Sequence, residues 1–343
     1  MERIIKRKFK KLKITILVIL LITIGSLGCI KEPGSDEEDK EPIEQNELLE
    51  QINSRALDWL AGLDVDPIKL RDEMGIKGKK NYVQVLDIYL CLYQTTNDPE
   101  KKVEYKDKVA ELIQVTKEEK YHDLNEINDT QFRQDSTSYL RAWYIINEFG
   151  FNTSYYITEI EKVLPRLDAH LPTRGTNQKM AFMFYYHQLG YQINYTMAEL
   201  FNNSVIRDRK EIQNLSELDV YFFTHEIFFL YDDAQLNLLT FDDYKYINAT
   251  LIYQINKKLA EDNVDLLAEL LMVMNYLNYR DMKEYETVLN YLLNSQNKNG
   301  SFGYYEDVRR YYQEQGINID VDISIYLHTT EVTLRALNEA IYS

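Results

Sequence analysis

The stretch VDLLAELLMVMNYLN, residues 264–278, decides the fold. At helical spacing its apolar side chains cover several faces rather than one stripe, and a helix apolar all round is buried on all sides. The segment before it, DDYKYINATLIYQINKKLA at 242–260, is amphipathic. The two together read as a hairpin with one outer and one inner member. In both directions from this pair, apolar residues recur at three-to-four spacing from Glu47 onward, without a convincing alternating run, so the folded part reads as nearly all helix.

The spacing predicts helices over about 46–62, 80–95, 100–118, 131–149, 154–170, 176–190, 196–203, 216–231, 242–260, 264–279, 282–296 and 322–342. Breaks at Asn97-Asp98-Pro99, Gly150, Pro172 with Gly175, Gly190, Asp232-Asp233 and 297–303 separate them. Six hairpins that alternate outer and inner helices are what an all-α (α/α)6 toroid requires, its inner helices lining a central cavity. An α-solenoid is the alternative, but its repeats call for more self-similarity than these segments share.

Composition agrees with a large helical domain. Of 343 residues 45% are hydrophobic, which excludes a disordered chain. Tyr (28) and Phe (13) outnumber Gly (12) and Pro (6), which disfavours a turn-dense β-sandwich. The charge is split: Arg3, Lys6, Arg7, Lys8, Lys10, Lys11 and Lys13 stand against Glu2 at the start, so the remainder is more acidic than the net −16 of the whole. Such a surface repels phosphate backbones, and nucleic acid is not an expected partner.

The basic start leads into an uncharged apolar run, 14–28, ending at Ser26-Leu27-Gly28-Cys29. These residues resemble the lipobox of bacterial and archaeal lipoproteins, with Ser26 where Leu is usual. The resemblance implies a signal peptide over 1–28, lipid on Cys29 and a domain facing outside the cytoplasm, anchored to the cell membrane; an uncleaved signal anchor over roughly 12–30 is the alternative. An acidic, Pro-containing tether follows over 29–45, and the toroid domain is expected over 46–343. With Cys29 lipidated, Cys91 has no disulfide partner. Asn-x-Ser/Thr acceptors occur at Asn128, Asn152, Asn194, Asn202, Asn214, Asn248 and Asn299.

A second resemblance lies at 291–303, where a helix ends in Gln296 and is followed by Gly300 and Phe302. This is similar to the repeat of terpene cyclases and protein prenyltransferase β-subunits, and implies the toroid rather than an activity. The cyclase acid motif Asp-x-Asp-Asp has no match, since 64–67 and 320–323 both lack the last Asp. Thr224-His225-Glu226-Ile227-Phe228-Phe229 with Leu327-His328-Thr329-Thr330-Glu331 resembles a prokaryotic family of toroid-like domains of unknown function, which implies no activity.

The same two segments supply the candidate chemistry. Tyr221, His225, Phe228 and Asp232 share one helix face, and Ser324, His328, Glu331 and Arg335 share another. His225-Glu226 does not begin a zinc-protease motif, because Phe229 occupies the second histidine position. Asp135, with Gln131 and Ser138, Arg174 with Gln178, and Glu269 with Asp265 add polar groups on inner helices. The expected catalytic candidates are His225, Glu226, His328, Glu331 and Asp135, and the expected ligand-binding ones Tyr221, Arg174, Gln178, Asp219 and Glu269. For each, the competing reading is a hydrogen-bonded structural residue. His122, His170 and His187 read as structural or surface residues. No metal constellation and no cofactor motif is read from the pattern.

The expected function is a lipid-anchored surface protein holding a glycan, peptide or small apolar molecule in its cavity. The alternatives are a polysaccharide hydrolase or lyase and, last, a terpene-cyclase-like enzyme.

Overall fold

Among the described residues, 45–74, 78–316 and 320–342 of a computed structural model, the chain forms 15 α-helices and no strand. In chain order these are α1 (Gln45–Ala61), α2 (Pro67–Met74), α3 (Gly78–Thr95), α4 (Pro99–Leu112), α5 (Asp129–Glu148), α6 (Ser154–His170), α7 (Thr176–Leu189), α8 (Met197–Phe201), α9 (Val205–Asp208), α10 (Glu217–Asp232), α11 (Phe241–Ala260), α12 (Val264–Tyr276), α13 (Lys283–Leu293), α14 (Glu306–Glu314) and α15 (Leu327–Tyr342). The all-α expectation holds.

Local signals start these helices where the sequence placed them. Ser216 and Asp219 form a capping box before α10, as do Thr240 and Asp243 before α11. Asp98 caps α4 ahead of Pro99.

Six helices are neighbours in a closed order: α3 packs on α5, α5 on α7, α7 on α10, α10 on α12, α12 on α15, and α15 back on α3. An open stack of hairpins would leave the first and last members apart. Outside them, α4 packs on α3, α6 on α5, α11 on α12, and α13 on both α12 and α15, while α1 covers α15. The amphipathic or wholly apolar character read from the sequence sorts the two sets. α12 buries every residue from Val264 to Met274 except Asp265, including Glu269, whereas α14 buries none.

The described helices depart from the expected ones in three places. The helix expected to 118 ends at Leu112, followed by 3-10 turns at Val115–Lys117 and Glu119–Tyr121. There the Thr116 hydroxyl donates to the Ile113 carbonyl at 2.8 Å, a local bond that competes with helical pairing. The helix expected over 322–342 opens with a π turn, Asp322–Tyr326. Finally α2, α9 and α14 are short helices inside stretches read as connections.

The signal peptide, Cys29 and all of the tether but Gln45 lie outside the described residues. No helix among the described residues is long and apolar enough to cross a membrane.

Candidate functional site

A cavity of about 500 Å³ opens among the inner helices. All six inner helices contribute to it from their C-terminal halves: Asp87 and Cys91 from α3, Arg141 and Tyr144 from α5, Tyr185 from α7, Tyr231 and Asp232 from α10, Tyr276 from α12, and Arg335 and Glu339 from α15. The inner helices therefore run the same way. Tyr231 and Tyr276 stack 4.1 Å apart with 5° between their planes. Arg335 donates to Glu339 at 2.8 Å and to the Tyr276 hydroxyl at 2.7 Å.

Arg141 links this cavity to a second polar cluster. Its NH2 lies 2.6 Å from Asp87 Oδ2 and 2.8 Å from Glu331 Oε1. Burial pushes Asp87 up to about 7, against the pull of Arg141. Burial also works against the charge on Glu331, but Arg141 and His328 outweigh it and hold that carboxyl down at about 2.

Beyond Glu331 lie the two histidines singled out from the sequence. His328 Nδ1 is 3.4 Å from Glu331 Oε2 and 2.8 Å from the Gln84 amide, and its Nε2 is 3.8 Å from Asp265 Oδ1. His225 Nδ1 lies 3.0 Å from the Tyr221 carbonyl and 3.6 Å from Glu269 Oε2, with the Tyr221 ring 3.8 Å away. Asp265 and Glu269, one turn apart on α12, thus bring the two histidine faces together. Neither histidine lines the cavity.

Electrostatics differ sharply between the two rings. Burial first, and then the nearby His328, push His225 down to about 3, so it is neutral. Burial also opposes a charge on His328, but Asp265 and Glu331 outweigh it and raise its pKa above the ordinary value. Burial, then Asp265, push Glu269 up to about 8.

The other sequence candidates have different surroundings. Glu226, beside His225 in sequence, points the opposite way and accepts from the backbone N–H groups of Val205 (2.8 Å) and Ile206 (3.2 Å), capping α9. Asp135 lies 3.8 Å from Lys79, whose Nζ also donates to Asp123 at 2.7 Å. Arg174 donates to Ser136 Oγ at 2.7 Å and to the Arg133 carbonyl, tying the connection between α6 and α7 to α5. Gln178 is exposed, and Asp219 serves the capping box of α10 and pairs with Lys210. His122, His170 and His187 have partners after all, in Tyr139, Asp129 and Asp233. All seven Asn acceptors are exposed.

Sequence reasoning missed Asp87 and Arg141. A signal was present: each is a lone charge inside an apolar inner-helix run, 82–92 and 139–146. A charge in such a place needs a partner across the core.

These shifts set the stability profile. Asp87 and Glu226, each pushed up to about 7 by burial, and Glu269 at about 8 hold protons in the folded state that the unfolded chain has released above about 4.5. Folded stability therefore falls as pH rises through that window, by about 1.4 kcal/mol per pH unit for each such proton. His225 acts oppositely, but only below its ordinary 6.5. Urea denaturation should show the protein about 3 kcal/mol more stable at pH 6.5 than at pH 8. Glu269→Gln should flatten that slope, and an unchanged slope would show that Glu269 does not hold the proton.

The family model described as Domain of unknown function (DUF6895) matches residues 54–334, and the chain belongs to that family. No curated protein and no solved structure matches it.

Proposed function

We propose that this member of the DUF6895 family is a lipid-anchored surface protein, shaped as an (α/α)6 toroid, that binds a glycan in the cavity of its inner helices. The observation that carries the reading is the cavity lining, in which the rings of Tyr144, Tyr185, Tyr231 and Tyr276 stand among Asp87, Arg141, Asp232, Arg335 and Glu339. A small apolar molecule would strip water from those charged groups and offer no hydrogen bond in return. A sugar offers C–H faces to the tyrosines and hydroxyls to the charged groups. The apolar run before Cys29 and the exposure of all seven Asn acceptors support a place outside the cytoplasm.

Titration of oligosaccharides drawn from cell-surface polysaccharides, followed by calorimetry, tests the reading. Tyr231, half-exposed at the rim, can be removed with little cost to the core. Tyr231→Ala should weaken binding about tenfold through the lost stacking. Silence across the panel, or equal affinity in the variant, would remove the glycan reading.

One observation favours the hydrolase alternative. Asp87 and Asp232 both line the cavity and burial raises the pKa of both, as a general acid in glycoside hydrolysis requires. Release of reducing ends in the same titration distinguishes turnover from binding. The cyclase-like alternative gains nothing from the turn at Gln296, whose amide donates to the Ile52 and Gly300 carbonyls and so has a structural use.

A further inference from the structure

Asp265 and Glu269 are one helical turn apart on α12, and His328 faces them from the first turn of α15. One ligand atom from each of the three lies within 4.8 Å of the others. His328 Nε2 and Asp265 Oδ1 are 3.8 Å apart, against roughly 3.3 Å for two ligands of a tetrahedral ion with bonds of about 2.0–2.1 Å. Binding would draw the three ligand atoms together from a spacing bounded at 4.8 Å to about 3.3 Å.

The partners around the three residues hold them for this task. Thr329 Oγ1 donates to Asp265 Oδ1 at 3.1 Å, and Thr224 Oγ1 donates to Glu269 Oε2 at 2.5 Å. On the far side of the imidazole, Nδ1 lies 3.4 Å from Glu331 Oε2, the carboxylate that accepts its proton when Nε2 is free to bind an ion, and the Gln84 side-chain amide flanks it at 2.8 Å. His225 lies with Nδ1 on the Tyr221 carbonyl and stands beside Glu269 rather than in the ligand set.

An independent observation points to a ligand. Glu269 is fully buried, yet its second oxygen, Oε1, has no hydrogen-bond partner among the described residues. A buried carboxyl oxygen without a partner in such a place is costly unless something completes its coordination. The side chains of Asp265 and His328 keep 25% and 26% of their exposure, which leaves an entry path for an ion.

We propose that Asp265, Glu269 and His328 bind one divalent transition-metal ion, with zinc as the best fit. One imidazole with two carboxylates suits zinc better than calcium or magnesium, which prefer all-oxygen shells. Three protein ligands leave a fourth position open. This site is separate from the glycan cavity, and its test requires no sugar.

The experiment uses the full-length chain, stripped with EDTA and titrated with zinc chloride alone in chelator-free buffer. The expected result is one zinc bound per chain, with Asp265→Asn and His328→Gln each weakening affinity at least about tenfold. Both substitutions keep side-chain size, and circular dichroism checks that they fold. Independently of any variant, zinc should protect His328 in the wild-type chain from diethylpyrocarbonate, read by peptide mass, while exposed His187 stays reactive. Magnesium at the same concentration should give no protection. The proposal is overturned if the wild-type chain takes up no zinc, if zinc leaves His328 reactive, or if folded Asp265→Asn and His328→Gln bind as tightly as the wild type.

Discussion

Arg141→Met should cost about 3–5 kcal/mol of folding stability at pH 7. The guanidinium sits between two carboxylates, 2.6 Å from Asp87 and 2.8 Å from Glu331, and the Glu331 side chain is only 3% exposed. Removing the cation while keeping the stem leaves a buried carboxylate without its counter-charge, and the loss reflects that orphaned charge more than the worth of the original pair. The pH dependence separates charge from packing. The folded pKa of Glu331 is depressed to about 2 from an ordinary 4.5, so its contribution is fully present above about 4.5 and is lost as pH falls toward 2. The penalty of Arg141→Met should therefore shrink between pH 7 and pH 3 in urea denaturation. An equal penalty at both would mean that the packing of the arginine stem, rather than its charge, matters.

The second large effect is expected at Gly300. This residue has φ +99°, and a Cβ built there would lie 2.1 Å from the Arg55 carbonyl oxygen of α1, a backbone atom that moves only if the helix moves. Gly300→Ala should destabilise by at least about 3 kcal/mol, combining strained backbone with a steric clash. The turn around it ties three helices. Gln296 donates to the Ile52 carbonyl of α1 at 2.9 Å, and the backbone N–H of buried Phe302 donates to Thr330 Oγ1 of α15 at 3.0 Å. Gly175 offers a control, since it has no positive φ and no atom within 4 Å of an added Cβ. Gly175→Ala should leave the melting temperature within a degree or two. If the two substitutions behave alike, the close approach of α1 to this turn is not a constraint on the fold.

The Gln296–Gly300–Phe302 turn illustrates how a resemblance and its physical content come apart. The residues were recognisable as a helix end followed by a tight turn. That the glycine is required by the carbonyl of Arg55, far away in the chain, became visible only once α1 was in place. The candidate site divides in the same way. The face containing Tyr221 and His225 and the face containing His328 and Glu331 follow from helical spacing; both histidines meet the acids of α12, while neither lines the cavity. Spacing did not show that Asp265 and Glu269 would stand between them, nor that Glu226 would turn away to cap α9.

By itself the sequence determined the all-α class, the longer helices and the breaks between them, because amphipathic period and breaker residues are properties of a short local stretch; the short helices α2, α9 and α14 carry too little of that period to be read. Tertiary structure alone decided which charges meet: Arg141 with Asp87 and Glu331, and the two histidines with the acids of α12. The physical reason is that helical period sets a side chain's angle about its own axis, whereas partnership across a ring of helices depends also on the height of each helix along its axis. That height is set by the packing of residues distant in sequence, and no local pattern records it.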